Sequence, residues 1–268
     1  MRIAYIADII GRPGRTMISQ HLKGLRSEYG IDAVIANYEN ASHGFGLSPK
    51  NAKELLGMGI DVMTGGNHTW DKKEIIPLLE SMPLLRPLNY PAQVAGRGVT
   101  VLDVAGEKLA VINAMGHFAM PYVDNVVRTT QEAVEALHAQ GIRAIFIDMH
   151  AEATSEKRAL FLHLKEKISA LIGSHTHVGS DDLLIDGGAG YLTDVGLTGC
   201  RDNVIGMSAN VPIERLMTGV SGRFEVPERC KKILQMVIID IEEGRCTAMQ
   251  KLKRFDDRPD IITHAWVE

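Results

Sequence analysis

Ile3-Ala4-Tyr5-Ile6-Ala7-Asp8-Ile9 is an almost unbroken apolar run that closes on a carboxylate. A short apolar run bounded by a turn signal, here Gly11-Arg12-Pro13-Gly14, reads as a buried strand. Residues 33–36 and 61–64 repeat the pattern, and each strand is followed by a turn and a helix candidate. Ser48 as a cap ahead of Pro49, and Gly30 and Gly59 as C-terminal caps, set helix ends. Such alternation predicts an α/β sheet. The Gly-Arg-Pro-Gly segment itself reads as a plain turn, because it lacks the Lys and Ser/Thr that close a nucleotide-phosphate loop.

From Gly98 the pattern changes. Residues 99–104 and 109–113 flank Ala105-Gly106-Glu107 and predict an antiparallel hairpin, so the sheet arrangement is mixed. Residues 129–141 and 155–167 predict helices, with strands at 144–149 and 170–173. After Gly187-Gly188 the pattern gives strands at 191–193, 232–241 and 247–255 and little helix. Two packed sheets with outer helices fit this order. No repeat, low-complexity tract or linker divides the chain, which predicts a single domain over residues 1–268.

Composition narrows the function. The net charge is −4 with no dense basic block, which argues against extended binding to a nucleic-acid backbone but leaves room for a small anionic substrate. Cys200, Cys230 and Cys246 are odd in number, widely spaced and outside any Cys-x-x-Cys motif, so neither a disulfide framework nor a thiolate metal site is expected. The first apolar run is too short for a signal peptide and no stretch is long enough to span a bilayer. A cytoplasmic location is the expectation, with no membrane partner.

The polar residues that could carry chemistry sit at predicted strand ends. Asp8 closes the first strand, Glu39-Asn40 follows the second and Asn67-His68 the third. Ligand sites of open α/β sheets assemble at the carboxyl ends of strands. Singly, Asp8 serves equally well as a turn cap, and each of the other two pairs reads first as structural. His150 ends residues 144–149, and Gly173-Ser174-His175-Thr176-His177 follows another short strand. In extended chain, residues two apart face the same side, so His175 and His177 can aim at one place. His-x-His at a strand end favours a metal over a hydrogen-bonded pair.

These donors are oxygen and imidazole nitrogen without sulfur, which suits iron, manganese or zinc and argues against copper(I) or an iron–sulfur cluster. Asp8, Glu39, Asn40, Asn67, His150, His175 and His177 are too many for one four-coordinate site. If Glu39 bridges two divalent ions, about +4 of metal charge meets two carboxylates, and an anionic phosphate is drawn in. Such a pair acidifies a water, polarises a phosphoryl group and stabilises charge on the attacking and leaving oxygens, so phosphate-ester hydrolysis is its natural use.

The order Asp, acid-Asn, Gly-Asn-His, strand-end His and Gly-x-His-x-His, spanning Asp8 to His177, resembles the calcineurin-like metallophosphoesterases. More narrowly, four blocks resemble the YmdB-type phosphodiesterases. They are Ile35-Ala36-Asn37-Tyr38-Glu39-Asn40-Ala41-Ser42-His43-Gly44, Gly66-Asn67-His68-Thr69-Trp70-Asp71-Lys72-Lys73-Glu74, His150-Ala151-Glu152-Ala153-Thr154-Ser155-Glu156-Lys157 and Thr193-Asp194-Val195-Gly196-Leu197-Thr198-Gly199. The chain departs from the broad superfamily at Ile10, where a histidine is usual, and at Tyr38-Glu39-Asn40, where Gly-Asp is usual. The narrower family shares both departures.

The resemblance implies a four-layer α-β-β-α sandwich with two mixed β-sheets and a homo-oligomer. It also implies two metal ions, iron first, manganese next and zinc last, acting on small phosphodiesters such as cyclic nucleotides. It implies that Asp8, Glu39, Asn40 and His177 hold one ion and Glu39, Asn67, His150 and His175 the other. It further implies that His68 is the general acid, easing expulsion of an alkoxide; an orienting role beside the metal is the alternative. His43, Glu152 and Asp194 are expected to support the site. A phosphomonoesterase on the same centre, a nucleotide-binding regulator without turnover and a metal-dependent amidohydrolase are the competing readings.

Overall fold

The structure is a computed structural model that describes residues 1–268. In the first half, β1 (Arg2–Ile6) and β2 (Asp8–Ile9) lead into α1 (Gly11–Glu28), followed by β3 (Ala33–Asn37), α2 (Pro49–Gly57) and β4 (Val62–Thr64). The hairpin is β5 (Val99–Val104) and β6 (Glu107–Met115), after which come α3 (Val126–Ala139), β7 (Ala144–His150), α4 (Thr154–Leu164) and β8 (Ala170–Ser174). Short strands β9 (Leu184–Asp186), β10 (Ala189–Leu192) and β11 (Leu197–Cys200) precede α5 (Asn210–Thr218). The chain closes with β12 (Lys232–Glu242), β13 (Arg245–Phe255), β14 (Ile261–His264) and β15 (Trp266–Val267).

Two mixed sheets result. One runs β14-β13-β12-β1-β3-β4, with β11 and β2 attached beside β12. The other runs β15-β9-β10-β8-β7-β6-β5. The side-chain alternation of β1 shows how they stack: Ile3 and Tyr5 join the cluster between the sheets, while Ala4 and Ile6 join the cluster under α1 and α2. Tyr5 meets Phe146 of the facing sheet with ring centroids 5.1 Å apart. A third cluster packs β6, β7 and β8 against α3 and α4, completing the expected α-β-β-α order. No helix is long and apolar enough to cross a membrane.

Three local expectations are corrected. The segment Gly11-Arg12-Pro13-Gly14 is the first turn of α1, not a plain turn. Pro13 is tolerated there because backbone N–H groups of a first helical turn lack intrahelical partners anyway. Gly14 lets the helix close on β11, since a β-carbon would collide with the Thr198 carbonyl. Cys200 and Cys230 form a disulfide, against the expectation of none. Cys200 ends β11 and pairs with Lys232 of β12, so the excursion 201–230 returns beside its start and brings the two Cα atoms to 5.6 Å. Finally, that excursion holds α5 where little helix was expected; none of its residues is buried, so it carries no core-facing signature.

Candidate metal centre

Strands β1, β3 and β4 are parallel in one sheet and β6, β7, β8 and β10 in the other. Their carboxyl ends therefore gather the polar residues that follow them. Asp8, Glu39, Asn40 and Asn67 come from the first sheet, and His150, His175 and His177 from the second. Asp8 is fully buried, Glu39 1% exposed, Asn40 2% and His150 0%, so these are not surface turn residues.

The structure brings all seven expected residues together. Glu39 Oε2 lies 3.2 Å from His150 Nε2, which in turn lies 3.1 Å from Asn67 Oδ1 and 3.1 Å from His175 Nδ1. On the other side, His177 Nε2 lies 3.3 Å from Asp8 Oδ2 and 3.3 Å from Asn40 Oδ1. Two groups emerge, Glu39–His150–His175 and Asp8–Glu39–His177, each with its ligand atoms within 4.8 Å of one another. Glu39 belongs to both.

The nitrogen of each imidazole turned away from the cluster has an acceptor. His150 Nδ1 lies 2.9 Å from Ser174 Oγ, which donates to Asp148 Oδ1 at 2.6 Å. His177 Nδ1 donates to the Ile205 carbonyl at 3.0 Å, and His175 Nε2 faces Glu152 Oε2 at 3.1 Å. Partners of this kind fix ring orientation and tautomer at metal sites. Ser174, Asp148 and the Ile205 carbonyl were not singled out in the sequence. Asp148, a carboxylate inside an apolar strand, is the one that left a signal.

Charge within the group is unevenly held. Burial raises the Glu39 carboxyl, but the charge and hydrogen bond of His150 outweigh it and leave Glu39 below the ordinary carboxylate range. Burial likewise lowers His150, yet Glu39 and Asp8 bring it up to about 9. Burial lowers His177 too, and the contact with Asp8 more than reverses that. Burial and the His150 charge push His175 down to about 3. The His150 proton thus offsets part of the carboxylate charge, and a metal ion held here would displace it.

Two observations fit this set to metal ions. Asp8 Oδ1 is buried and has no hydrogen-bond partner, which is costly for a carboxylate oxygen unless something positive meets it. At Gly66, a β-carbon would fall onto Glu39 Oε2 and His150 Nε2, so glycine leaves the cluster open. Gly66→Ala is expected to weaken metal uptake by about tenfold or more while leaving the far-ultraviolet dichroism unchanged. Elemental analysis after dialysis checks it, and full metal content in the variant would refute the assignment.

His68 lies just outside the cluster. Its backbone N–H donates to Glu39 Oε2 at 3.1 Å, and its Nδ1 is 2.8 Å from Asp71 Oδ2. It lines a cavity of about 890 Å³ together with Glu39, Asn40, His175 and His177. Phe45 and, from the excursion that the disulfide closes, Val204, Met207, Leu216 and Phe224 give the cavity apolar lining, to which Arg215 adds a charge. Glu152 also lines the cavity.

A double-sheet sandwich that gathers carboxylates, amides and histidines at its strand ends defines a metallophosphoesterase-type hydrolase. The chain belongs to the YmdB-like family, whose model matches residues 4–252. It is 42% identical over 245 residues to the 2',3'-cyclic-nucleotide 2'-phosphodiesterase of Bacillus subtilis, covering 91% of this chain and 92% of the relative. The crystal structure of a phosphatase from Mycoplasma pneumoniae superimposes with a TM-score of 0.89 at 31% identity, over 97% of this chain and 95% of that one. A 5'-nucleotidase precursor from Thermus thermophilus shares the fold alone, with a TM-score of 0.61 at 11% identity over 95% of this chain and 54% of that one.

Proposed function

We propose that this enzyme hydrolyses small phosphodiesters, with 2',3'-cyclic nucleotides as the substrate class, at a pair of metal ions. The observation that carries the reading is Glu39, buried and common to both ligand groups. The similarity to the Bacillus subtilis phosphodiesterase supplies the substrate class. Asp8, Asn40 and His177 would hold one ion, Asn67, His150 and His175 the other, and Glu39 both. The oxygen-rich donor set favours iron or manganese over zinc. When bound, the ions would acidify a water and draw charge from the phosphoryl oxygens.

The chain's own groups supply the rest. The cluster would hold the phosphate, and the apolar lining residues of the cavity would give the nucleoside a surface to pack on. His68, with Nδ1 held by Asp71, keeps Nε2 to carry a proton to the departing ribose oxygen. Water adds across one P–O bond and the ring opens to a nucleoside monophosphate.

Metal-loaded protein should open 2',3'-cyclic AMP faster than it hydrolyses 3',5'-cyclic AMP or 5'-AMP, as chromatography of the products would show. Turnover confined to the monoester would establish a phosphomonoesterase instead. Nucleotide binding without turnover would establish a binding protein.

A further inference from the structure

Two lysines are buried where no phosphate chemistry needs them: Lys157 of α4 is fully buried and Lys251 of β13 is 2% exposed. An ammonium inside a protein is costly unless it is paired. Lys157 Nζ donates to Asp194 Oδ2 at 2.8 Å, and that same oxygen accepts the Thr176 backbone N–H at 3.1 Å. Asp194 Oδ1 accepts the Gly196 N–H at 2.9 Å. The Asp194 main chain is held as well, because its N–H donates to Ser180 Oγ and its carbonyl accepts Ser180 N–H, both at 2.9 Å. Lys251 Nζ donates to the Ser180 carbonyl at 2.9 Å. Every polar atom of Asp194 therefore has a partner, and the residue as a whole is 1% exposed.

Thr176, which Asp194 grips, stands between His175 and His177. Those histidines have φ of +98° and +62°, in the region that residues with a β-carbon occupy only when their surroundings hold them there. The unusual backbone has a geometric use. It lets two positions separated by one residue on a short loop serve two different groups, His175 beside Glu39 and His150, and His177 beside Asp8 and Glu39. Left alone, such a loop would relax toward ordinary conformations and the imidazoles would part. Gly173, just upstream, shows how closely the holding pair is applied: a β-carbon there would strike Lys157 Cδ and the Thr193 carbonyl.

We propose that Lys157 and Asp194 are positioning residues, a buried ion pair that fixes Thr176 so that His175 and His177 reach both halves of the metal centre. The inference rests on the metal centre proposed above. Lys157 orients the Asp194 carboxylate, and the carboxylate in turn fixes the loop through a single backbone hydrogen bond. Neither residue touches substrate.

Two variants test this. Asp194→Asn keeps the shape but strands Lys157. Lys157→Met/Asp194→Leu removes both charges together, so a folded protein is expected even if the first is unstable. In metal-free protein, hydrogen exchange at the Thr176 amide should be at least about tenfold faster in both variants, because its acceptor is weakened or gone. In equilibrium dialysis against manganese, both should bind with about ten- to a hundredfold lower affinity than wild type. Saturating metal should restore much of kcat with KM little changed, which a merely loosened fold would not show. Folded variants with wild-type manganese affinity and wild-type Thr176 exchange would overturn the proposal. If wild type itself took up no metal, the metal centre would be the reading that fails, and the exchange measurement, which needs no metal, would still decide whether the pair fixes the loop.

Discussion

Glutamine in place of Glu39 is expected to abolish stable binding of two ions and to lower kcat/KM by about a thousandfold or more. The substitution keeps the shape of a side chain that is 1% exposed, so a gross rearrangement would not explain the loss. What it removes is charge. With Glu39 ionised, two carboxylates face about +4 of metal charge; with glutamine, Asp8 faces it alone and the repulsion between the ions goes unscreened. The metal-free protein should tolerate the change. His150 is pushed down by burial but held up at about 9 by Glu39 and Asp8, and without Glu39 it can give up its proton rather than remain a buried unpaired cation. Metal content by elemental analysis, melting temperature without metal and turnover of a cyclic nucleotide check the three parts. A variant that kept two ions and near-normal turnover would remove Glu39 from the centre.

Alanine at His68 should leave metal content unchanged and lower kcat by about 10² to 10⁴ for a substrate that leaves as a ribose alkoxide. The loss should be much smaller for a p-nitrophenyl diester, whose leaving group needs no proton. This contrast separates the two roles open to His68. A proton donor matters in proportion to the basicity of the leaving oxygen, whereas a residue that merely orients Glu39 through its backbone N–H would keep that bond in the variant and affect both substrates alike. Asp71→Asn should show the same contrast in weaker form, since the amide still sits beside Nδ1 and holds the ring but lacks the carboxylate's charge. Equal losses on both substrates would contradict the general-acid role.

What the sequence made legible follows physical lines. Strands β1, β3, β7 and β8 are buried on both faces, so their apolar runs stand out and their ends are easy to place. Because the polar residues of the site hang from those ends, the candidate ligands were legible with them, and the structure draws all seven together. Less legible were features set by contacts distant in sequence. The disulfide depends on β11 and β12 lying side by side, which no spacing of Cys200 and Cys230 encodes. The start of α1 was hidden because Pro13 and two glycines resemble a turn until the helix is seen closing on Thr198. Helix α5 buries nothing in this chain, so its pattern had no core face to reveal, and with it went part of the apolar lining of the cavity. Asp194 was expected to support the site but without a role; its pairing with the buried Lys157 of α4 joins residues 37 apart in sequence, which no local pattern encodes.

In the proposed centre two ions share one carboxylate. Anomalous diffraction from crystals of manganese-loaded protein tests it most directly. Two peaks per chain are expected, one beside Asp8, Asn40 and His177 and the other beside Asn67, His150 and His175, with Glu39 touching both. A single peak, or two peaks with Glu39 contacting only one, would contradict it.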